Sequence, residues 1–421
     1  MLKKMISISA IFVSVAAFAQ QPSIQFYRPN SKVGNAIFEP PKNDSISYDG
    51  LKVRVGGDFA MQFQALNQSN EMENLADLGS NFNLPTANFN IDVQLHDGLR
   101  MHMRTYMSSR HHVEAWIKGG HIQVDKLNFI KPGLLEGLMD MTTVRIGLDE
   151  INYGDAHFRR TDNARAIHNP FVGNYLMDAF TTEVFGELLL RKKGVIGMLG
   201  VSNGKLNQSV VLPQNRYNKP SFYGKVGYDN TFGEDFRARL TGSWYINTGT
   251  GTGTWLYGGD RAGSRYYNVL QTTDGDGGDF DGRFNARFNK ISSFQVNPFI
   301  KFKGLEFFGI YEVADGLMEF EDPDNNEGAM TQLAAELLYR FGKNEQFYVS
   351  GRYNEVSGKM QEGAQDPLNV SRINAGAGWY LTNNVVIKLE YVTQDYNGDG
   401  WSGRLDGANF NGIVGEAAIS F

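Results

Sequence analysis

From about residue 51 onward, apolar and polar residues alternate along the chain. In "LKVRVGGDFAMQFQA", Val53, Val55, Phe59, Met61 and Phe63 fall on one face, and Arg54, Asp58, Gln62 and Gln64 on the other. A period of two is the mark of a β-strand whose faces meet different surroundings. "ANFNIDVQLHDGLRMHMRTYM" shows the same pattern on both sides of Asp97-Gly98, with Phe89, Ile91, Val93 and Leu95 before it and Leu99, Met101 and Met103 after it. Asp-Gly supplies the positive φ of a two-residue hairpin turn, so these two runs predict a hairpin. The pattern recurs in "TTVRIGL", "TTEVFGELLLRKKGVIGMLGV", "SFYGKVGYDNTFGEDFRARLTGSWYI", "NPFIKFKGLEFFGIYEV", "AELLYRFGKNEQFYVSGRY", "INAGAGWYLTNNVVIKLEYV" and "GIVGEAAISF". The prediction is an all-β chain made of hairpins rather than of separate domains.

The connectors fall into two classes. Short ones lie at 96–98, 192–194, 230–235, 303–304, 342–345 and 382–384, and long ones at about 66–82, 149–179, 203–218, 248–263, 315–328, 357–369 and 395–408. Alternation of tight turns with long loops is expected of a transmembrane antiparallel up-and-down β-barrel, which has short turns on one side of the membrane and long loops on the other. A short loop near 109–111 and a longer turn at 126–141 depart from it locally. Parity along the chain gives 18 strands if a weakly patterned strand occupies 264–273 ("SRYYNVLQTT"); without it the count is 17, which is odd and makes 16 the neighbouring choice.

The N-terminus changes the picture. "MLKKMISISAIFVSVAAFAQ" has two lysines, an apolar run from Met5 to Phe18 and an Ala17-Phe18-Ala19 site, the pattern of a secretory signal peptide cleaved after Ala19. The run is too short to cross about 30 Å of hydrocarbon. The predicted layout is a signal peptide over 1–19, an extended leader over 20–50 and a barrel over 51–421. Loss of two of the 40 basic residues against 46 acidic ones leaves the exported chain at a net charge of −8, which argues against a nucleic-acid partner. The absence of Cys excludes disulfides, thiolate metal sites and thiol nucleophiles. With 48 Gly, 29 Phe and 19 Tyr at a mean hydropathy of −0.36, the composition fits a barrel in which only alternate residues meet lipid. A soluble secreted β protein is the competing class.

The last strand, "GIVGEAAISF", ends the sequence on Phe421 with Ile419, Ala417 and Ile413 in register behind it, and is similar to the terminal strand of bacterial outer-membrane proteins. Together with the signal peptide and the hairpins, it makes the chain resemble the outer-membrane porin superfamily, and more loosely the phosphate-selective porins and their Bacteroidetes relatives, although it lacks a lysine-rich inner loop. The resemblance implies a Gram-negative outer membrane, contact with lipid and lipopolysaccharide, possible homotrimers, and a third extracellular loop folded inward to narrow the channel. "DEINYGDAHFRRTDNARAIHNPFVGNYLMDAF" follows the fifth predicted strand, where that loop belongs. On this reading Arg159, Arg160 and Arg165 form the constriction, opposed by Asp155 and Asp162; the alternative is an external loop held by Arg–Asp pairs and a Pro170 turn.

Positions alternating with the lipid-facing series would line the pore. They include Arg54, Arg100, Arg104, Arg145, Arg237, Arg239, Arg283, Arg287, Arg340, Arg352, Arg372 and Lys388, against Asp58, Asp92, Glu336, Glu390 and Glu416. A basic lumen would favour anions; the same arginines could instead pair with the carboxylates and merely keep the wall wettable. "DYNGDGWSGRLD" offers Asp395, Asn397, Asp399 and Asp406 at Ca²⁺-loop spacing, or simply a turn rich in Asp, Asn and Gly. None of the seven His has a Ser or acid neighbour spaced as in a triad, so no enzyme is predicted and no cofactor is required. The leading expectation is a passive diffusion channel for small hydrophilic solutes, anions preferred; the alternative is a structural or partner-binding barrel plugged by its inward loop.

Overall fold

The computed structural model describes residues 21–83, 85–109, 115–205, 210, 218–249, 256–258, 266–279, 281–318, 327–362 and 366–421. The expected signal peptide lies outside them. Among the described residues no helix is long and apolar enough to cross a membrane.

The strands are β1 (Lys52–Ser69), β2 (Asn81–Phe82), β3 (Thr86–His96), β4 (Leu99–Ser108), β5 (Trp116–Val124), β6 (Thr142–Glu150), β7 (Thr182–Lys192), β8 (Val195–Ser202), β9 (Ser221–Phe232), β10 (Phe236–Asn247), β11 (Lys290–Phe302), β12 (Leu305–Leu317), β13 (Gly328–Phe341), β14 (Phe347–Lys359), β15 (Leu368–Thr382), β16 (Val385–Asn397) and β17 (Asn409–Ser420). Apart from the two-residue β2, which pairs only with β1, each strand pairs antiparallel with its chain neighbours, and β1 pairs with β17 from Asp58↔Ser420 to Ser69↔Asn409. The result is a closed barrel of sixteen strands plus one short extra strand. Phe421 finishes the seam: its N–H donates to Gly57 O at 3.1 Å and its carbonyl accepts from Gly57 N at 3.2 Å.

Sixteen replaces the preferred count of eighteen. Residues 266–273 form turns with one isolated bridge, Leu75↔Thr272, rather than a strand. Asn268 and Leu270 have positive φ, which extended pairing does not allow, and their neighbours hydrogen-bond to barrel side chains: Tyr267 N donates to Gln64 Oε1 and Leu270 N to Gln68 Oε1. Because β11 begins at Lys290, Arg283 and Arg287 are also off the barrel wall, in the connector between β10 and β11.

The alternation holds. Val53, Phe59, Met61, Leu333, Leu337, Leu389 and Ile413 point outward and are exposed, while Asp58, Gln62, Gln332, Glu336, Glu390 and Glu416 point inward and are buried. Near the turn that joins β13 and β14, the rings of Tyr339, Phe341, Phe347 and Trp379 stand in a row with centroids 5.7–6.0 Å apart. An apolar outer band edged by aromatic residues, around a polar interior, is the inverse of a soluble sandwich.

Candidate functional site: the barrel interior

Polar residues on the inner faces would demand water or partners, and segments of the chain itself supply many of the partners. The connector between β6 and β7, residues 151–181, is buried throughout except at Arg165. It bonds to the wall on several sides. Asn163 Nδ2 donates to Asn88 Oδ1 on β3 at 2.8 Å, Asp155 N to Asn297 Oδ1 on β11 at 2.8 Å, Leu176 N to Asn354 Oδ1 on β14 at 2.7 Å and Val172 N to Glu390 Oε2 on β16 at 2.6 Å. Small apolar residues dock the same connector: Ala164, Ala166 and Ile167 pack on inward-facing Ala60, Leu338, Val386 and Ala418.

Each of the five charged residues named from sequence has a close partner outside that set. Arg159 reaches Glu336 Oε1 at 2.7 Å and Glu306 Oε2 at 3.3 Å on the wall. Arg160 grips Asp178 of its own connector through Nε and Nη2 at 2.6–2.9 Å and stacks on Phe180 at 3.9 Å. Arg165 meets Glu150 at 3.0 Å. Asp155 lies between Lys225 Nζ and Arg239 Nε, each at 2.8 Å, and Asp162 accepts from Arg104 Nη1 at 3.1 Å. Four of these residues link the connector to the wall and Arg160 ties it to itself, because each charge in a low-dielectric interior needs a close counter-ion.

The leader occupies the end of the barrel where the tight turns lie. Lys32 N donates to Asn383 O at 2.7 Å, Asn30 Nδ2 to Asp58 Oδ1 at 2.8 Å and Lys42 Nζ to Asp125 Oδ1 at 3.0 Å. Phe38 packs against Phe158 and Phe299, and Glu39 receives Arg239 Nη1 and Nη2 at 2.8 Å. Burial alone would raise the Glu39 carboxyl, but Arg239 and Lys225 hold it down at about 2. Toward the other end, Tyr257 OH donates to Glu312 Oε1 at 2.9 Å, Tyr266 OH to Glu390 Oε1 at 2.5 Å, and Phe284 N to Leu176 O at 2.8 Å, which layers the β10–β11 connector onto 151–181.

Between the leader, residues 151–181 and the wall of β3–β6 lies a cavity of about 110 Å³. Arg28, Arg100, Arg104, Arg145 and Arg165 line it, with Asp92, Asp149 and Glu150 and the histidines His102, His121, His157 and His168. Burial pushes His157 and His168 below the ordinary range, helped at His168 by Arg28 and Arg165, so both stay neutral at pH 7.

No protein-family model and no curated protein matches this sequence. Solved structures do. OmpF of Salmonella typhi in complex with daunomycin aligns at a TM-score of 0.54 and 12% identity, covering 89% of this chain and 99% of that one. An anion-selective porin from Comamonas acidovorans aligns at 0.53 and 9% identity over 88% and 100%. The outer-membrane channel DcaP of Acinetobacter baumannii aligns at 0.52 and 9% identity over 89% and 99%. The fold is that of an outer-membrane porin.

Within this barrel, Arg54, Arg100, Arg104, Arg145, Arg237, Arg239, Arg340 and Arg352 all take inward positions, yet the wall is not predominantly basic. Asp149, Glu183, Glu187, Glu306 and Glu312 are also inward and buried. Arg145 pairs with Glu187 at 3.1 Å, Arg237 with Asp229 at 2.6 Å and Arg340 with Glu306 at 3.0 Å, while Arg54 sits over the Tyr27 ring at 5.2 Å. Of the residues assigned to Ca²⁺, Asp395 and Asn397 end β16, Asp395 Oδ1 accepts from Asn409 Nδ2 at 2.6 Å, Asp399 is exposed in a turn, and Asp406 follows the short turn Gly403–Leu405. Among the described residues no three His, Asp or Glu side chains converge as a ready-made metal site. Sequence reading missed the leader's part in the interior, the Asp178 partner of Arg160 and the inward carboxylates of β6, β7 and β12. For the carboxylates the signal was present as strand alternation in "LDE", "TEVFGEL" and "LEFFGIYEV". The leader has no period, so nothing local could place it.

Proposed function

We propose that this protein is an outer-membrane porin that passes small hydrophilic solutes by diffusion, with anions preferred, and that residues 151–181 are its inward-folded third extracellular loop. The observation that carries the reading is the arginine-lined cavity beside β3–β6, inside a closed barrel with an apolar outer surface. Arg28 and Arg100 border it, and the Nε atom of each is buried without a hydrogen-bond partner, which leaves donor capacity for a guest. Guanidinium groups take phosphate or carboxylate oxygens in pairs. Both termini then belong on the periplasmic side, with the tight turns and the docked leader. A trimer form is known for OmpT of Vibrio cholerae, which aligns at a TM-score of 0.52 and 13% identity over 89% of this chain and 100% of that one; we extend trimerisation to this barrel.

The plugged-barrel reading draws on the leader and the connectors, which occupy much of the interior. Planar-bilayer recording under chloride and phosphate gradients separates the two. The channel reading expects discrete conductance steps and a reversal potential on the anion side; no steps above the leak would leave a closed barrel, and a cation-side potential would reject the role given to the arginines.

A further inference from the structure

We propose that His102 and His121 form a binding site for one divalent transition-metal ion, Zn²⁺ or Cu²⁺, on the inner wall of the barrel. The argument begins with register. Asp92 on β3 lies opposite His102 on β4, and His102 lies opposite His121 on β5. His121 in turn lies opposite Gly147 on β6, two residues before Asp149. Four adjacent strands therefore carry a row of Asp, His, His and Asp on one face. His102 Nδ1 is 2.9 Å from Asp92 Oδ1, and His121 Nδ1 is 2.7 Å from Asp149 Oδ2.

Two glycines make the row possible. A Cβ on Gly147 would stand 2.8 Å from the Cβ of His121, and one on Gly119 would stand 2.9 Å from Asp149 Oδ1. Without side chains at these positions, His121 can lean across its neighbour to reach the carboxylate.

A carboxylate on Nδ1 fixes the tautomer that leaves the Nε2 lone pair free, and this support from an outer carboxylate is what metal-binding histidines usually have. The two carboxylates stand at the outer ends of the row, so the opposite ring edges face each other across its centre. Both Nε2 atoms are buried without a hydrogen-bond partner, and both residues border the same 110 Å³ cavity. The ring centroids are 5.5 Å apart. Two imidazoles sharing one Zn²⁺ at about 2.1 Å per nitrogen have ring centres roughly 5–6 Å apart.

The cavity offers water for the remaining positions, since its volume is far above the roughly 10–15 Å³ that one water needs. Most guanidinium groups bordering the cavity are held by carboxylates, Arg100 by Asp92 at 3.5 Å, Arg145 by Glu187 at 3.1 Å and Asp149 at 3.8 Å, Arg104 by Asp162 at 3.1 Å and Arg165 by Glu150 at 3.0 Å, while Arg28 donates to the carbonyls of Gly34 and Phe158. The site does not depend on an open pore.

The test uses full-length protein folded in detergent, stripped with EDTA and titrated with Cu²⁺. One saturable ion per chain is expected, with an electron paramagnetic resonance spectrum split by two imidazole nitrogens and lost on adding EDTA. His102→Asn and His121→Asn keep a side-chain donor for the facing carboxylate; each is expected to weaken binding at least tenfold, and the double variant to abolish it. Asp149→Asn is expected to weaken binding about 10- to 100-fold while leaving both imidazoles in place. An unchanged spectrum in the double variant, or no saturable binding, would overturn the site. If the variants fail to fold, anomalous density in a Zn²⁺-soaked wild-type crystal decides: density bonded to both Nε2 atoms supports the proposal, and density only elsewhere sinks it.

Discussion

Asp155 shows how single residues hold this interior together. Its carboxylate accepts from Lys225, Arg239 and Thr241, with Oδ1 2.8 Å from Lys225 Nζ and Oδ2 2.7 Å from Thr241 Oγ1, and the Asp155, Lys225 and Arg239 side chains are fully buried. Removing one partner of a buried ion pair leaves its counter-charges stranded, at a cost of about 3–5 kcal/mol. Asp155→Asn is accordingly expected to lower the urea midpoint of the folded barrel by a corresponding amount, with Lys225 and Arg239 left to Glu39 and Asp229. A change below about 1 kcal/mol would show that water or Glu39 already neutralises the pair. At this scale the sequence revealed which residues bear charge on each face. It could not reveal the partners, since Asp155 and Arg239 are 84 positions apart.

The strands are the elements most legible in advance. Alternation and turn chemistry located the hairpins, and the connector after the fifth barrel strand fell where sequence spacing put it. The strand expected at 264–273 failed for a local reason: Tyr266, Val269 and Leu270 are all buried, so no second face meets lipid and no period of two is imposed. The leader carries the prediction at this scale. Deleting 21–45 removes Phe38, Glu39 and Lys42 from the tight-turn end and is expected to raise single-channel conductance while the barrel still folds. Equal conductance would show that the passage runs clear of the leader. Acid provides a second handle. Glu39 sits near 2, below its ordinary 4.5, so its contribution to docking is complete above about 4.5 and is lost as the pH falls toward 2. Conductance of the wild type is expected to approach that of the deletion over that interval, and a flat response would separate leader docking from Glu39.

For the whole molecule, the closed ring gives the simplest test of a membrane barrel. Closure leaves no strand edge and β1 pairs with β17 over twelve positions, so the unheated protein should resist detergent and run faster on electrophoresis than the boiled protein. The absence of a mobility shift would return the chain to the soluble β class. Charge behaves differently at this scale than along a single strand. Of the arginines that register places in the lumen, Arg283 and Arg287 lie off the wall and the others face inward, but the sum over the wall also includes Glu183, Glu187, Glu306 and Glu312, and arginines gather locally beside β3–β6. The sequence by itself determined strand class, hairpin order and which face of each strand turns outward, because these follow from a period of two residues and from turn chemistry, both local. Only the tertiary structure decided the number of strands, the filling of the interior and the partner of each buried charge. Those depend on ring closure and on contacts between residues tens to hundreds of positions apart, as when Asp58 and Ser420 meet across the seam.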